Sequence, residues 1–356
     1  MPLTVLVINP GSTSTKIAVY EDGDELFSEN LVHSAEELAA FGSIAGQHEF
    51  RDHQIRAVLD RRGFDVRRLS AVVGRGGMLH PIPSGVYAIG ERMKTDLLDA
   101  RYGEHASNLG ALIADDFGKE TGVPAFIADP VIVDELEDVA RVSGNRLFTR
   151  KSIFHALNQK AVARRWCREK GRSYEAVTLI VAHMGGGVTV GLHKDGRVVD
   201  VNNGYNGEGP FSPERSGTLP AGDLVKLCYC GGYEEREVLK MVTGQGGLVS
   251  FMGTNDMRVV EKAWKLGDPE GGLYFRAFIY QVGKSVGALA AAARRPVDAV
   301  ILTGGIAHSK DVEAGIREMC AFIAPIVAYP GEGELEALAQ AGTRALRGEC
   351  EILEYL

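Results

Sequence analysis

Three glycine-rich turns carry the groups that holding a polyphosphate requires. The first runs Asn9-Pro10-Gly11-Ser12-Thr13-Ser14-Thr15-Lys16, the second His183-Met184-Gly185-Gly186-Gly187, and the third Thr303-Gly304-Gly305. A polyphosphate asks for convergent N–H donors and a backbone that can approach closely; glycine permits both, and hydroxyls add donors. Lys16 adds a cation to the first turn, where it either supports phosphates or flanks a strand. The third turn follows a strand and precedes a helix, a setting suited to close contact with a nucleotide's sugar or base. None of the three matches the Walker P-loop, and the Rossmann fingerprint is absent. Any one alone reads equally well as a structural hairpin; three in this order are far more specific.

Strands must position these turns. Leu3 to Asn9 is a β-rich run, Lys16 to Tyr20 resumes it, Asp22-Gly23 signals a hairpin, and Glu25 to Val32 continues. The same grammar returns halfway along: a strand over Ala176 to His183, the Gly185–Gly187 turn, a strand over Val188 to His193, Asp195-Gly196, and a strand over Arg197 to Val201. Two such units imply duplicated domains; the alternative is chance recurrence of common hairpins. Between and after them the chain alternates. Helices are predicted over 52–62, 107–121, 155–170, 223–230, 256–264, 271–293, 310–322 and 335–347, and strands over 69–73, 124–128, 297–303 and 326–329. This is α/β organisation. The predicted domains are 1–150 plus 335–356, made discontinuous by a last helix that returns, and 151–334.

The chain has 356 residues, 45% of them hydrophobic, enough for two domains with sizeable cores. A net charge of −8 with acids and bases interspersed argues against a nucleic-acid or anionic-membrane partner. The basic pairs Arg61-Arg62 and Arg67-Arg68 sit beside acids and read as a solvated face. Five scattered cysteines give no disulfide framework and suit a reducing cytoplasm. Cys228 and Cys230 lack a second ligand pair and read as structural thiols rather than a zinc site. The apolar start is too short for a signal peptide and no stretch approaches transmembrane length, so the expected location is cytoplasmic.

The order of the three turns resembles the acetate and sugar kinase, Hsp70 and actin superfamily, and most closely its acetokinase family. The resemblance rests on INPGSTSTKIA (Ile8 to Ala18), VVGRGG (Val72 to Gly77), HASNLG (His105 to Gly110), RKSIFHALNQKAVAR (Arg150 to Arg164), HMGGG (His183 to Gly187), NNGYNGEGPFSPERSG (Asn202 to Gly217) and LTGGIAHS (Leu302 to Ser309). It implies two duplicated RNase H-like (actin-like ATPase) domains around a central cleft. The implied cofactors are ATP/ADP and Mg²⁺. Asn9, Gly11, Ser12, Thr13, Ser14, Lys16, His183, Gly185, Gly186 and Gly187 would hold phosphates, and Gly304, Gly305 and Ile306 adenosine. The implied partners are a short-chain fatty acid and its acyl phosphate, with a homo-oligomer of at least two chains.

By the same resemblance, Arg215 steadies the transferring phosphoryl and the acyl carboxylate, and His155 hydrogen-bonds the phosphoryl. Asp129 lies near the arginines and metal, and Glu334, with Glu332 as a rival, organises Mg²⁺ beside Asn9. Arg75 would contact the carboxylate, although acetate kinases carry their arginine three residues earlier, where Val72 stands. The family's second histidine is Gln159 here, and Gly186 replaces an asparagine. His105 and Asn108 either line the substrate cleft or cap a helix. The implied reaction is reversible in-line transfer from ATP to butyrate or a close relative such as isobutyrate, propionate or acetate. A carboxylate nucleophile is already ionised, so no strong base is needed. A kinase or phosphatase acting on another substrate and a non-catalytic actin-like nucleotide switch are the competing classes.

Overall fold

The computed structural model describes residues 2–356, which fall into two compact units: one comprising the chain up to Val133 together with Gly333–Leu356, the other Asp134–Glu332. The segment 134–150, expected with the first domain, packs with the second unit.

The first unit is built on β1 (Thr4–Pro10), β2 (Ser14–Glu21), β3 (Asp24–Val32), β4 (Ala71–Arg75), β5 (Val86–Ala88), β6 (Ala125–Ala128) and, near the chain's end, β12 (Ile352–Leu353). Their order across the sheet is β12-β5-β6-β4-β1-β2-β3. β1, β4 and β6 run parallel, while β2 and β3 fold back antiparallel beside β1. Every residue of β1 is buried, as a central strand covered on both faces must be, whereas edge strand β3 buries none. The helix Asn108–Thr121 lies so close to β4 that a Cβ on Gly110 would stand 2.4 Å from the Arg75 carbonyl oxygen. This contact fixes the strand end that carries Arg75.

The second unit repeats the plan with β7 (Thr178–Met184), β8 (Val188–Lys194), β9 (Arg197–Val201), β10 (Ala299–Gly304) and β11 (Ile326–Pro330), in the order β11-β10-β7-β8-β9. Again three antiparallel strands are followed by two parallel ones. The repeat reaches finer detail. Each hairpin turns on an Asp-Gly with both residues at positive φ (Asp22 52°, Gly23 99°; Asp195 54°, Gly196 77°), the twist that joins strands tightly. Each second strand also carries a bulge near its end, at Val19/Tyr20 and at Leu192/His193.

On one face of this sheet, Phe275, Phe278, Val282 and Val286 of the helix Pro269–Ala293 pack on Ile180, Val190 and Leu302. On the other, Trp166 of the helix Ala156–Lys170 joins Val181 and Ile301. Burying each such side chain contributes about 1.5–3 kcal/mol. Cys228 and Cys230 are exposed on a helix, Ala221–Cys230, that buries no residue, so neither is a core thiol. No helix among the described residues is long and apolar enough to cross a membrane.

Candidate active site

In the first unit the parallel strands deliver their chemistry at their C-terminal ends, where open α/β sheets bind ligands. β1 ends on Asn9-Pro10, β4 on Arg75, and Asp129 follows the last residue of β6. Asn9, Arg75 and Glu334 meet there. Asn9 Nδ2 donates to Glu334 Oε2 (2.7 Å), and Arg75 Nη1 donates to Asn9 Oδ1 (3.1 Å). The Arg75 fork grips both carboxylate oxygens of Glu334, Nη1 to Oε2 and Nη2 to Oε1, each at 3.2 Å. Expected at an acyl carboxylate, Arg75 spends both terminal nitrogens on this cluster. Asp129 is buried with φ +39°, a conformation uncommon outside glycine. Its Oδ1 accepts from Ser84 Oγ (2.5 Å) and the Gly85 amide (3.0 Å).

The Gly11–Ser14 turn closes with the Gly11 amide donating to the Ser14 carbonyl (2.7 Å), and Ser12 and Thr13 stand exposed at its tip. Lys16 faces Asn9 across the β1–β2 pair. Beneath the turn lies a residue that sequence reasoning missed. Arg51, fully buried, donates from Nη1 to the carbonyls of Gly11 (2.8 Å) and Ser14 (3.0 Å) and to Thr15 Oγ1 (3.1 Å). Its Nη2 reaches the Ser12 carbonyl (3.3 Å), and Gln47 Oε1 takes further bonds from Nη2 (2.8 Å) and Nε (3.1 Å). Among the described residues no carboxylate pairs with it. Burial lowers its pKa, yet a guanidinium remains charged at neutral pH. His33, bonded to Thr15 Oγ1 at 2.8 Å, is held below its ordinary range by burial and then by the Arg51 charge, so the net charge under the turn is positive. The signal was present in the sequence: Arg51 shares a helical face with Ile55, Val58 and Leu59, all buried.

His105 and Asn108 bond to neighbouring loop backbone. Asn108 is buried, its Oδ1 accepting from the Met78 amide (2.8 Å) and its Nδ2 donating to the Gly103 carbonyl (3.0 Å). The helix N-cap is Ser107, without a side-chain cap, and His105 Nδ1 accepts from the Ser107 amide (3.1 Å).

In the second unit the turn after β7 is drawn together by a hydrogen bond from the Gly185 amide to the Gly187 carbonyl (3.0 Å). Ser212 Oγ donates to the Gly186 carbonyl (2.6 Å) and accepts from the Arg215 amide (3.1 Å), so the arginine's loop is tied to the turn. The Arg215 guanidinium lies on the backbone of Gly187, where a Cβ would stand 2.2 Å from Nη1. Burial lowers its pKa, partly offset by Glu214. Among the described residues one of the three guanidinium nitrogens, Nη1, donates, to the Gly204 carbonyl (2.5 Å). His155, at the N-cap of the helix Ala156–Lys170, stacks on His183 with ring centroids 3.7 Å apart and 9° between planes. His183 Nδ1 meets Asn158 Oδ1 at 2.7 Å, and Asn158 donates to the Glu332 carbonyl.

A cleft of about 770 Å³ opens beside this turn, lined by Gly185, Gly186, Gly305, Ile306 and Glu332, and by Asn255, Arg258, Lys265 and Lys310. Its size is that of a small-molecule site. Hydrogen bonds to Asp311 and then Glu261 push the Lys265 pKa up to about 12. Gly304 ties the cleft floor to Gly331 through paired hydrogen bonds of 3.0 Å. The four last-named lining residues come from segments whose convergence is tertiary, so nothing local marks them.

The sequence profile of the acetokinase family matches residues 137–323. Butyrate kinase 1 of Clostridium acetobutylicum is 53% identical, with 99% of each chain covered, and butyrate kinase 2 of the same organism is 52% identical over the whole of both. Among solved structures, the acetate kinase of Porphyromonas gingivalis superposes with a TM-score of 0.78 at 19% identity, covering 96% of this chain and 99% of that one. A propionate kinase from Francisella tularensis subsp. tularensis gives 0.73 at 17%, covering 95% and 98%.

Proposed function

Because the chain belongs to the acetokinase family, we propose that it transfers the terminal phosphoryl of ATP to the carboxylate of a short-chain fatty acid, butyrate foremost, giving an acyl phosphate and ADP reversibly. One observation carries this reading. Arg215 is seated against a glycine turn with most of its fork unspent, as an arginine that receives phosphoryl and carboxylate oxygens must be. The full-length likeness to butyrate kinases favours butyrate over other acids.

Phosphoryl transfer asks for positioning and for neutralisation of equatorial oxygens. In this reading the amides and hydroxyls of the Gly11–Ser14 turn and the Gly185–Gly187 turn bind phosphates, and Gly305 and Ile306 flank adenosine in the cleft. Arg215 steadies the phosphoryl and the acid, and His155 donates to the phosphoryl. Asp129 holds the strand end beside Arg75, and Arg75 orients Glu334. His105 shapes the loop that Asn108 anchors.

Mg²⁺ fits the donor set in a limited way. Among the described residues no three His, Cys, Asp or Glu side chains converge. That suits a hard cation that keeps most of its waters and binds chiefly to phosphates. Glu334, held by Asn9 and Arg75, is the carboxylate we assign to it, with Asn9 as the second contact; Glu332 instead lines the cleft. When bound, the ion would neutralise charge on the phosphate oxygens.

The test is direct. Protein with ATP, Mg²⁺, butyrate and hydroxylamine should accumulate butyryl hydroxamate, and Arg215→Ala should lower kcat far more than it weakens ATP binding. Absence of hydroxamate with every acid from acetate to valerate would overturn the proposal.

A further inference from the structure

A buried chain of hydrogen bonds in the second unit ends on His155, and its direction can be worked out atom by atom. Gln159 Nε2 lies 3.0 Å from the Thr189 carbonyl oxygen, an atom that only accepts, so this end of the amide must be the donor. The same Nε2 lies 2.9 Å from Thr189 Oγ1, which therefore accepts from it. The threonine hydroxyl has one proton, and His155 Nδ1 stands 2.9 Å away to receive it. At the other end Gln159 Oε1 faces His193 Nε2 at 3.1 Å and must accept, so His193 carries its proton on Nε2. Tyr174, 2.7 Å from His193 Nδ1, is then the donor that begins the chain.

Three further observations agree. Gln159, Thr189 and His193 are all fully buried, so water does not compete for these bonds. Burial first, then the charges of Lys160 and Arg164, hold His193 well below its ordinary range, so it is neutral and its Nδ1 is bare. The seat is also shaped for the amide: a Cβ on Gly191 would come within 2.5 Å of Gln159 Oε1.

We infer that Gln159 and Thr189 are positioning residues that fix His155 as the neutral tautomer with its proton on Nε2, presenting one oriented N–H donor. Direction runs from the Tyr174 hydroxyl through His193, Gln159 and Thr189 to His155 Nδ1. No proton is transferred along it; each link holds the next in one orientation. The inference deepens the proposed function, and its catalytic meaning rests on His155 serving the phosphoryl there. The glutamine matters because its amide has a distinct donor end and acceptor end. A histidine at 159, or a glutamate, would not impose the same direction.

The experiment reads the proton itself. Protein labelled with ¹⁵N in its histidine rings is examined near neutral pH, with the His155 signals assigned by their loss in His155→Gln. The expected result is a protonated Nε2 and a bare Nδ1; a proton on Nδ1 overturns the inference. Thr189→Val removes only the hydroxyl link and leaves Gln159 bonded to the residue-189 carbonyl, so the fold is retained. There His155 should populate both tautomers, and kcat should fall on the order of tenfold with KM for ATP little changed. A His155 that keeps its single tautomer in Thr189→Val also overturns the inference. If the tautomers mix while kcat is unmoved, the proton placement stands and the role of His155 in the proposed reaction falls.

Discussion

Replacing Arg51 by methionine removes the charge beneath the Gly11–Ser14 turn while keeping an unbranched apolar stem. The guanidinium makes six hydrogen bonds, to Gly11, Ser12, Ser14, Thr15 and Gln47. Without it the Gly11 and Ser12 carbonyls and Gln47 Oε1 lose these donors, whereas Ser14 keeps the Gly11 amide and Thr15 Oγ1 keeps His33. At about 1–3 kcal/mol per stranded acceptor the loss over three is roughly 3–9 kcal/mol, reduced because a desolvated charge disappears as well. A net destabilisation of about 2–3 kcal/mol is expected from urea unfolding. Nucleotide binding should separate charge from scaffold. A fixed charge about 8 Å from a phosphate, at an effective dielectric near 20, is worth about 2 kcal/mol, roughly thirtyfold in Kd. Calorimetric titration should therefore show ATP weakened roughly thirtyfold, ADP less, and adenosine hardly at all. Arg51→Lys, which keeps the charge, should bind ATP within about threefold of the parent. Equal weakening of ATP and adenosine, or an unchanged ATP Kd in a variant destabilised as expected, would refute the reasoning.

Two other outcomes follow from the geometry. Gly187→Ala places a methyl where Arg215 Nη1 now lies, 2.2 Å from the added carbon, so the guanidinium must move; kcat should drop roughly hundredfold with adenosine affinity intact, and near-parental turnover would mean that Arg215 does not act from this seat. His33 and His193 both have folded pKa values below the ordinary 6.5. Their stabilising contribution is thus complete above about 6.5 and is lost as pH falls, because the unfolded chain takes up protons first, at up to about 1.4 kcal/mol per pH unit for each histidine. Urea midpoints measured from about pH 8 to 5 should decline only below that value; a flat profile would contradict the assigned burial.

Much of the scaffold was legible in the sequence. Asp22-Gly23 and Asp195-Gly196 are readable as hairpin turns because so few residue pairs accept two positive φ angles in succession. The strand Arg197–Val201 has the predicted bounds, and the long helices fall within a few residues of theirs. β5, three residues long, and β12, two residues long, carry no periodicity and exist only through their pairing. The paired bulges at Val19/Tyr20 and Leu192/His193 were likewise invisible, since a register shift leaves no mark on composition. Around the site, the glycine turns and the residues at 9, 75 and 334 are nameable from type and motif. That Arg75 would spend its fork on Glu334 is not, because it depends on an arrival from the far end of the chain. Gln159 illustrates the same limit: the sequence shows that a histidine is missing but not which way an amide points.

The discontinuity of the first unit has a consequence for biosynthesis. Its helix Glu334–Leu346 packs at Gly342 on Val5 and Val73, and supplies Glu334 to the cluster begun by Asn9. Asp134–Glu332 is one continuous stretch with its own core, so all of it is made while the amino-terminal sheet, translated earlier, still lacks the piece that covers it. On the ribosome the usual order of maturation is therefore inverted. The earliest-made half is the last to finish, and its apolar strands wait for a segment still inside the exit tunnel, which is where chaperone dependence should concentrate.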